Sequence, residues 1–134
     1  MISSKVAVRR AISPVSVADN TAQVSQIIDR QGFTGLLFAV ALGAIADADM
    51  TVTILVEDGD VANLSDAAAG ADANLNGTEA GQTFQFDDDN ETRKIGYVGN
   101  KRYVRMTITP ANNASAALLS VLAILGGPAD APVA

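Results

Sequence analysis

The residues best equipped for chemistry in this chain are its carboxylates. "DANLNG" sets Asp72, Asn74, Asn76 and Gly77 as in the opening of a calcium loop, where oxygen ligands at alternate positions wrap a hard cation. The ninth and twelfth positions of that loop fall on Ala80 and Thr83, so the closing bidentate Glu is missing and an Asn-Gly turn is the simpler reading. "DAD" at 47–49, "DGD" at 58–60 and "DDDN" at 87–90 read as hydrated turns, because acid-base work by paired carboxylates needs a pocket that separates their pKa values. His and Cys are both absent. That removes the commonest general base, the usual zinc ligands, thiolate chemistry and disulfides. "GYVGNK" has neither the spacing nor the following helix of a phosphate loop. The expectation is a protein that is not an enzyme, with no catalytic residue, no metal and no cofactor.

Charge is the stronger signal. Residues 1–30, 31–92 and 93–134 carry +2, −12 and +4, which together give the chain's −6. A pI near 4.3 argues against generic nucleic-acid binding, which depends on Lys and Arg neutralising phosphates. Five of the nine basic residues lie in "RKIGYVGNKRYVRMTITP", residues 93–110. Gly99 and Asn100 fit a two-residue hairpin turn, which would place Tyr97 opposite Arg102, Gly96 opposite Tyr103 and Lys94 opposite Arg105. One face would then bear Ile95, Tyr97, Val104, Met106 and Ile108 toward the core, with Arg102 lying on Tyr97. The other would bear Lys94, Lys101, Tyr103 and Arg105, with the Tyr103 ring over Gly96. Like charges held opposite one another are unfavourable, so this face is expected to meet acids. They would come from residues 47–91 of the same chain, from a sibling copy or from another protein. The alternative is a solvated face whose cations guard a sheet edge.

The elements that must carry these residues are strands. Val52, Ile54 and Val56 alternate with polar neighbours in "TVTILVE", and "TAQVSQII" and "QTFQF" read similarly, the last placing Phe84 and Phe86 together. "FTGLLFAVALGAI" and "SAALLSVLAIL" are apolar on both faces, as central strands are. With "KVAVRR" this makes about eight strands punctuated by Gly, Asn, Asp and Pro, and the expectation is an all-β antiparallel sandwich of jelly-roll type. Residues 1–20 are polar and contain Pro14. They are expected to form an extended arm, with Lys5, Arg9 and Arg10 touching a partner, and residues 21–134 the sandwich. Residues 57–81 are long for a connection, with a short helix near "LSDAAAG" capped by Ser65. "MISSKVAVRR" has no apolar run of a secretory signal behind it. The longest apolar run, 36–46, is shorter than the ~20 residues of a membrane-spanning helix. No membrane association is expected, and synthesis is expected in the cytoplasm.

The succession "IIDRQGF", "AIADADMTVTILVEDGD", "LSDAAAG", "RKIGYVGNKRYVRMTITP" and "ALLSVLAILGGPADAPV" resembles small structural proteins of tailed double-stranded DNA phages, among them capsid decoration or cement proteins. The resemblance spans roughly Asn20 to Val133. It implies a β-rich domain on the outer surface of the virion, bound in many copies to the major capsid protein of an HK97-type shell, often as a homotrimer. A receptor- or glycan-binding spike or fibre module, or a head-tail connector component, is the alternative.

Overall fold

The computed structural model describes residues 1–70 and 72–133. Ten strands carry the fold: β1 (Val6–Val17), β2 (Gln23–Val24), β3 (Ile28–Asp29), β4 (Phe33–Ile45), β5 (Thr51–Gly59), β6 (Ala68–Ala69), β7 (Leu75–Asn76), β8 (Thr92–Tyr97), β9 (Tyr103–Ala111) and β10 (Ala117–Pro128). They form two antiparallel sheets packed as a sandwich. Sheet A runs β1-β10-β4-β8-β7, and sheet B runs β2-β9-β5-β6 with β3 also paired to β9. The chain changes sheet between β1 and β2, β3 and β4, β4 and β5, β6 and β7, β8 and β9, and β9 and β10. That is the path of a jelly roll, with each change of sheet closing the core on both sides. Among the described residues there is no α-helix, only short 3-10 turns, and no helix is long and apolar enough to cross a membrane.

The two segments apolar on both faces, β4 and β10, are central in sheet A, paired from Ala117↔Ile45 to Pro128↔Phe33. A central strand pairs on both edges; one row of its aliphatic side chains fills the core and the other lies on the outer face of the sheet. Between the sheets lie Phe38, Val40, Ile95, Tyr97 and Val121 from sheet A and Val56, Val104, Met106 and Ile108 from sheet B, all 2% exposed or less. Removing each such aliphatic side chain from water is worth roughly 1.5 to 3 kcal/mol. Val52, Ile54 and Val56 face inward as their alternation requires.

Several expectations are corrected. Residues 1–20 are extended, but most of them belong to the sandwich. β1 pairs with β10 from Val6↔Gly126 to Val17↔Ala117 and buries Ala7, Ala11, Ile12 and Val17. Register shifts on either side of Ile12 put consecutive residues on one face, which hides the alternation. Pro14 is tolerated because β1 is an edge strand. "TAQVSQII" contributes only β2 and the start of β3, and "QTFQF" is no strand, being loop after Gln82 ends a 3-10 turn, with Phe84 buried and Phe86 exposed. "LSDAAAG" forms turns and β6 where a helix was expected.

The largest correction concerns 93–110. β8 and β9 are not a hairpin. β8 pairs with β4 and β7 in sheet A, while β9 pairs with β5, β2 and β3 in sheet B. Gly99-Asn100 belongs to a crossing between sheets, and the core set Ile95, Tyr97, Val104, Met106 and Ile108 is filled from both layers.

Candidate interaction surface

The crossing is held by two residues. Tyr97 Oη donates to Asp58 Oδ2 at 2.6 Å and accepts from Lys101 N at 3.3 Å. Arg30, buried, donates from Nε to Lys101 O, from Nη1 to Thr34 O and from Nη2 to Gly99 O, and its guanidinium lies 4.8 Å from the Tyr97 ring centre. Arg30, and not Arg102, is the cation on Tyr97. Nothing in the spacing of "DRQGF" marked it. Burial, helped by the Asp58 hydrogen bond, pushes the Tyr97 phenol up to about 12.

The expected cationic face of 94, 101, 103 and 105 is divided. Lys94 lies in sheet A, and Tyr103 and Arg105 lie in sheet B. Most of the basic cluster is neutralised by the chain itself. Arg93 meets Asp88 at 3.2 Å and Glu91 at 2.7 Å, Lys101 meets Asp60 at 2.7 Å, Arg102 meets Asp29 at 2.9 Å and Arg105 meets Glu57 at 3.0 Å. The Arg102–Asp29 contact uses two parallel hydrogen bonds, the strong geometry for this pair. Tyr103 lies under Arg102, 5.0 Å from ring centre to guanidinium, and not over Gly96, whose outward neighbour is Asn76. Glu57 and Arg105 are direct cross-strand partners. The rest of sheet B's outer face is threonine at 51, 53, 107 and 109, with Leu55 and Val24.

The acidic clusters fold their own loops. Asp66 accepts from the amides of Asp60 and Val61, Asp47 from those of Asp49 and Ala114, Asp89 from Ile45 and Glu79 from Val56. The amide of Asp60 holds Asp66 below the usual carboxylate range, and the amide of Asp49 does the same for Asp47. A carboxylate that accepts backbone hydrogen bonds is stabilised in its charged form. Among the described residues no three of these acids come together as metal ligands would. Gly77 has a positive φ of 100°, as an Asn-Gly turn requires. The side chain of Asp72 lies outside the described residues.

Sheet A is different. Its five strands contain Arg9, Arg10, Arg93 and Lys94 and no Asp or Glu. Its outward side is aliphatic, with Val8 55%, Leu122 46% and Leu118 43% exposed, joined by Leu37, Ala39, Ala41 and Ile124. Two open grooves mark it. One of about 410 Å³ lies among Pro14, Ala41, Gly43, Leu118 and Ser120, and one of about 720 Å³ lies among Leu37, Ala39, Gln82, Thr92 and Lys94. Lys5, Arg9, Arg10 and Lys94 make no ion pair among the described residues. With the Gln26 amide turned to satisfy both its atoms, Arg10 donates to that neutral side chain. Of the residues singled out in the sequence, Arg10 and Lys94 therefore share one face, Lys5 and Arg9 lie along its β1 edge, and Lys101, Tyr103 and Arg105 are engaged elsewhere.

No protein-family model matches the chain, and no curated protein matches it. Solved structures of similar architecture exist at low identity. A protein of the Bacillus endospore appendages, described as a family of disulfide-linked pili, aligns at 14% identity and a TM-score of 0.47, over 92% of this chain and 89% of the other. The CBM22-1 xylan-binding domain of Paenibacillus barcinonensis Xyn10C aligns at 11% identity and 0.45, over 92% and 86%. A family two carbohydrate esterase from Cellvibrio japonicus aligns at 11% and 0.41, over 93% of this chain and 36% of the other.

Proposed function

We propose that this protein is a non-catalytic coat component, a decoration protein that binds the outside of an HK97-type phage capsid in many copies and stabilises it, with trimers favoured. The observation that supports this is the contrast between the two outer faces. Sheet B covers most of its outside with threonines and charge pairs closed within the chain, interrupted by Val24 and Leu55. Sheet A keeps an aliphatic surface on which Arg10 and Lys94 have no carboxylate partner among the described residues. A contiguous exposed apolar face with a polar rim is the usual mark of a protein-binding surface. The resemblance of the sequence to phage structural proteins supplies the partner.

The test is occupancy and copy number. Purified protein added to expanded empty shells of an HK97-type major capsid protein should bind in hundreds of copies, and shells carrying it should resist higher temperature. Scarcity in virions together with binding to cells or glycans would favour a spike or fibre module instead.

A further inference from the structure

The geometry points to the outer face of sheet A as the docking face, and to a partner protein whose contact surface is an aliphatic ridge flanked by carboxylates, not a second copy of this chain. This inference rests on the capsid reading and names the surface and its chemistry. The register across the sheet runs Arg10↔Leu122, Leu122↔Ala39 and Ala39↔Lys94. One lateral row thus has a cation at each end and two apolar residues between. Arg10 and Lys94 are three strand spacings apart, about 14 Å. Both are exposed, and neither has a carboxylate partner among the described residues.

Symmetry argues against two copies stacked row on row. Two copies joined face to face are related by a twofold axis lying in the interface. An axis through the middle of that row and parallel to the strands brings Arg10 of one copy over Lys94 of the other. An axis along the row brings Arg10 over Arg10 and Lys94 over Lys94. Sheet A has no Asp or Glu to relieve either arrangement, and like charges brought together at an interface suppress the wrong partner. A ridge carrying carboxylates at the matching separation would pair both cations while its apolar crest covers Leu122 and Ala39.

The experiment measures binding to expanded empty shells against salt concentration for the parent and three variants: Leu122→Glu, Arg10→Gln with Lys94→Gln, and Thr109→Glu. The last lies on the outer face of sheet B and serves as control. All four positions are exposed, and melting curves matching the parent check that each variant is folded. Leu122→Glu should bind at least about tenfold more weakly. The double variant should lose about as much at low salt and show a flatter salt dependence, while Thr109→Glu stays within about twofold of the parent. If the parent binds and the sheet A variants bind as well as Thr109→Glu does, the face is wrong and the capsid reading stands. If the parent does not bind shells, the reading falls and this inference falls with it. Sedimentation of the protein alone supplies the remaining arm: self-association abolished by Leu122→Glu would make the occupant a second copy and overturn the inference.

Discussion

Tyr97 Oη of sheet A donates to Asp58 Oδ2 of sheet B at 2.6 Å, so one hydrogen bond through the core joins the two layers. Asp58 faces inward from β5 opposite Val104, and Tyr97 faces inward from β8 opposite Leu36. Neither strand pairs with the other, and the contact spans 39 residues of sequence. Removing the phenol oxygen would leave a buried carboxylate oxygen and the Lys101 amide without their partner. Tyr97→Phe should therefore cost about 1 to 3 kcal/mol, read from the shift of the urea midpoint. A midpoint equal to the parent's would show that water replaces the phenol at no cost.

The same bond gives a dependence on alkaline pH. Tyr97 titrates at about 12 in the folded protein, against about 10 for an exposed tyrosine. The folded state therefore holds the phenolic proton more tightly than the unfolded state does. Its contribution to stability is complete below about pH 10 and is lost as pH rises to about 12. Urea midpoints of the parent should fall over this interval more steeply than those of Tyr97→Phe. Parallel curves would remove Tyr97 as the cause.

Arg30 uses its planar fork on three carbonyls, those of Lys101, Thr34 and Gly99. A lysine ammonium is a point donor and cannot reach all three in that geometry. Arg30→Lys should destabilise by about 2 to 3 kcal/mol despite keeping the charge, and thermal unfolding would register it. A loss below about 0.5 kcal/mol, the size of an ordinary surface substitution, would mean that the crossing is held by Tyr97 alone.

Gly99 is closely confined. A Cβ there would sit 2.5 Å from Tyr97 Oη and 2.6 Å from Cζ, and the ring cannot retreat while it is bonded to Asp58. Gly99→Ala should cost about 1 to 3 kcal/mol by overpacking. The Tyr97→Phe background should reduce that cost, and a double-mutant cycle in urea would show the coupling.

Removing residues 2–12 should do more than weaken binding. It takes Ala7, Ala11 and Ile12 out of the core and bares the edge of β10, an apolar strand with unpaired backbone groups that invites aggregation. The truncated chain should unfold at lower temperature and aggregate. A soluble variant melting with the parent would restore a dispensable arm.

What the sequence determined by itself was local. The strict alternation of Val52, Ile54 and Val56, and of Ile95 and Tyr97, reveals an inward face because successive side chains of a strand point to opposite sides whatever the neighbour. The two-sided apolar runs of β4 and β10 likewise marked central strands, and together these imply an all-β sandwich. Pairing was not legible in this way. Gly99-Asn100 meets the local requirements of a hairpin turn, yet Ile95 packs in one layer and Val104 in the other, because β8 and β9 take their ladder partners from distant strands, β4 and β5. The fate of each cation was also decided in three dimensions. Lys101 and Arg105 find Asp60 and Glu57, 41 and 48 residues away, whereas Arg10 and Lys94, 84 residues apart in sequence, arrive at opposite ends of one acid-free row. Residue types state which charges exist. Only the fold, by choosing sheet mates across the whole chain, sets which of them remain available to a partner.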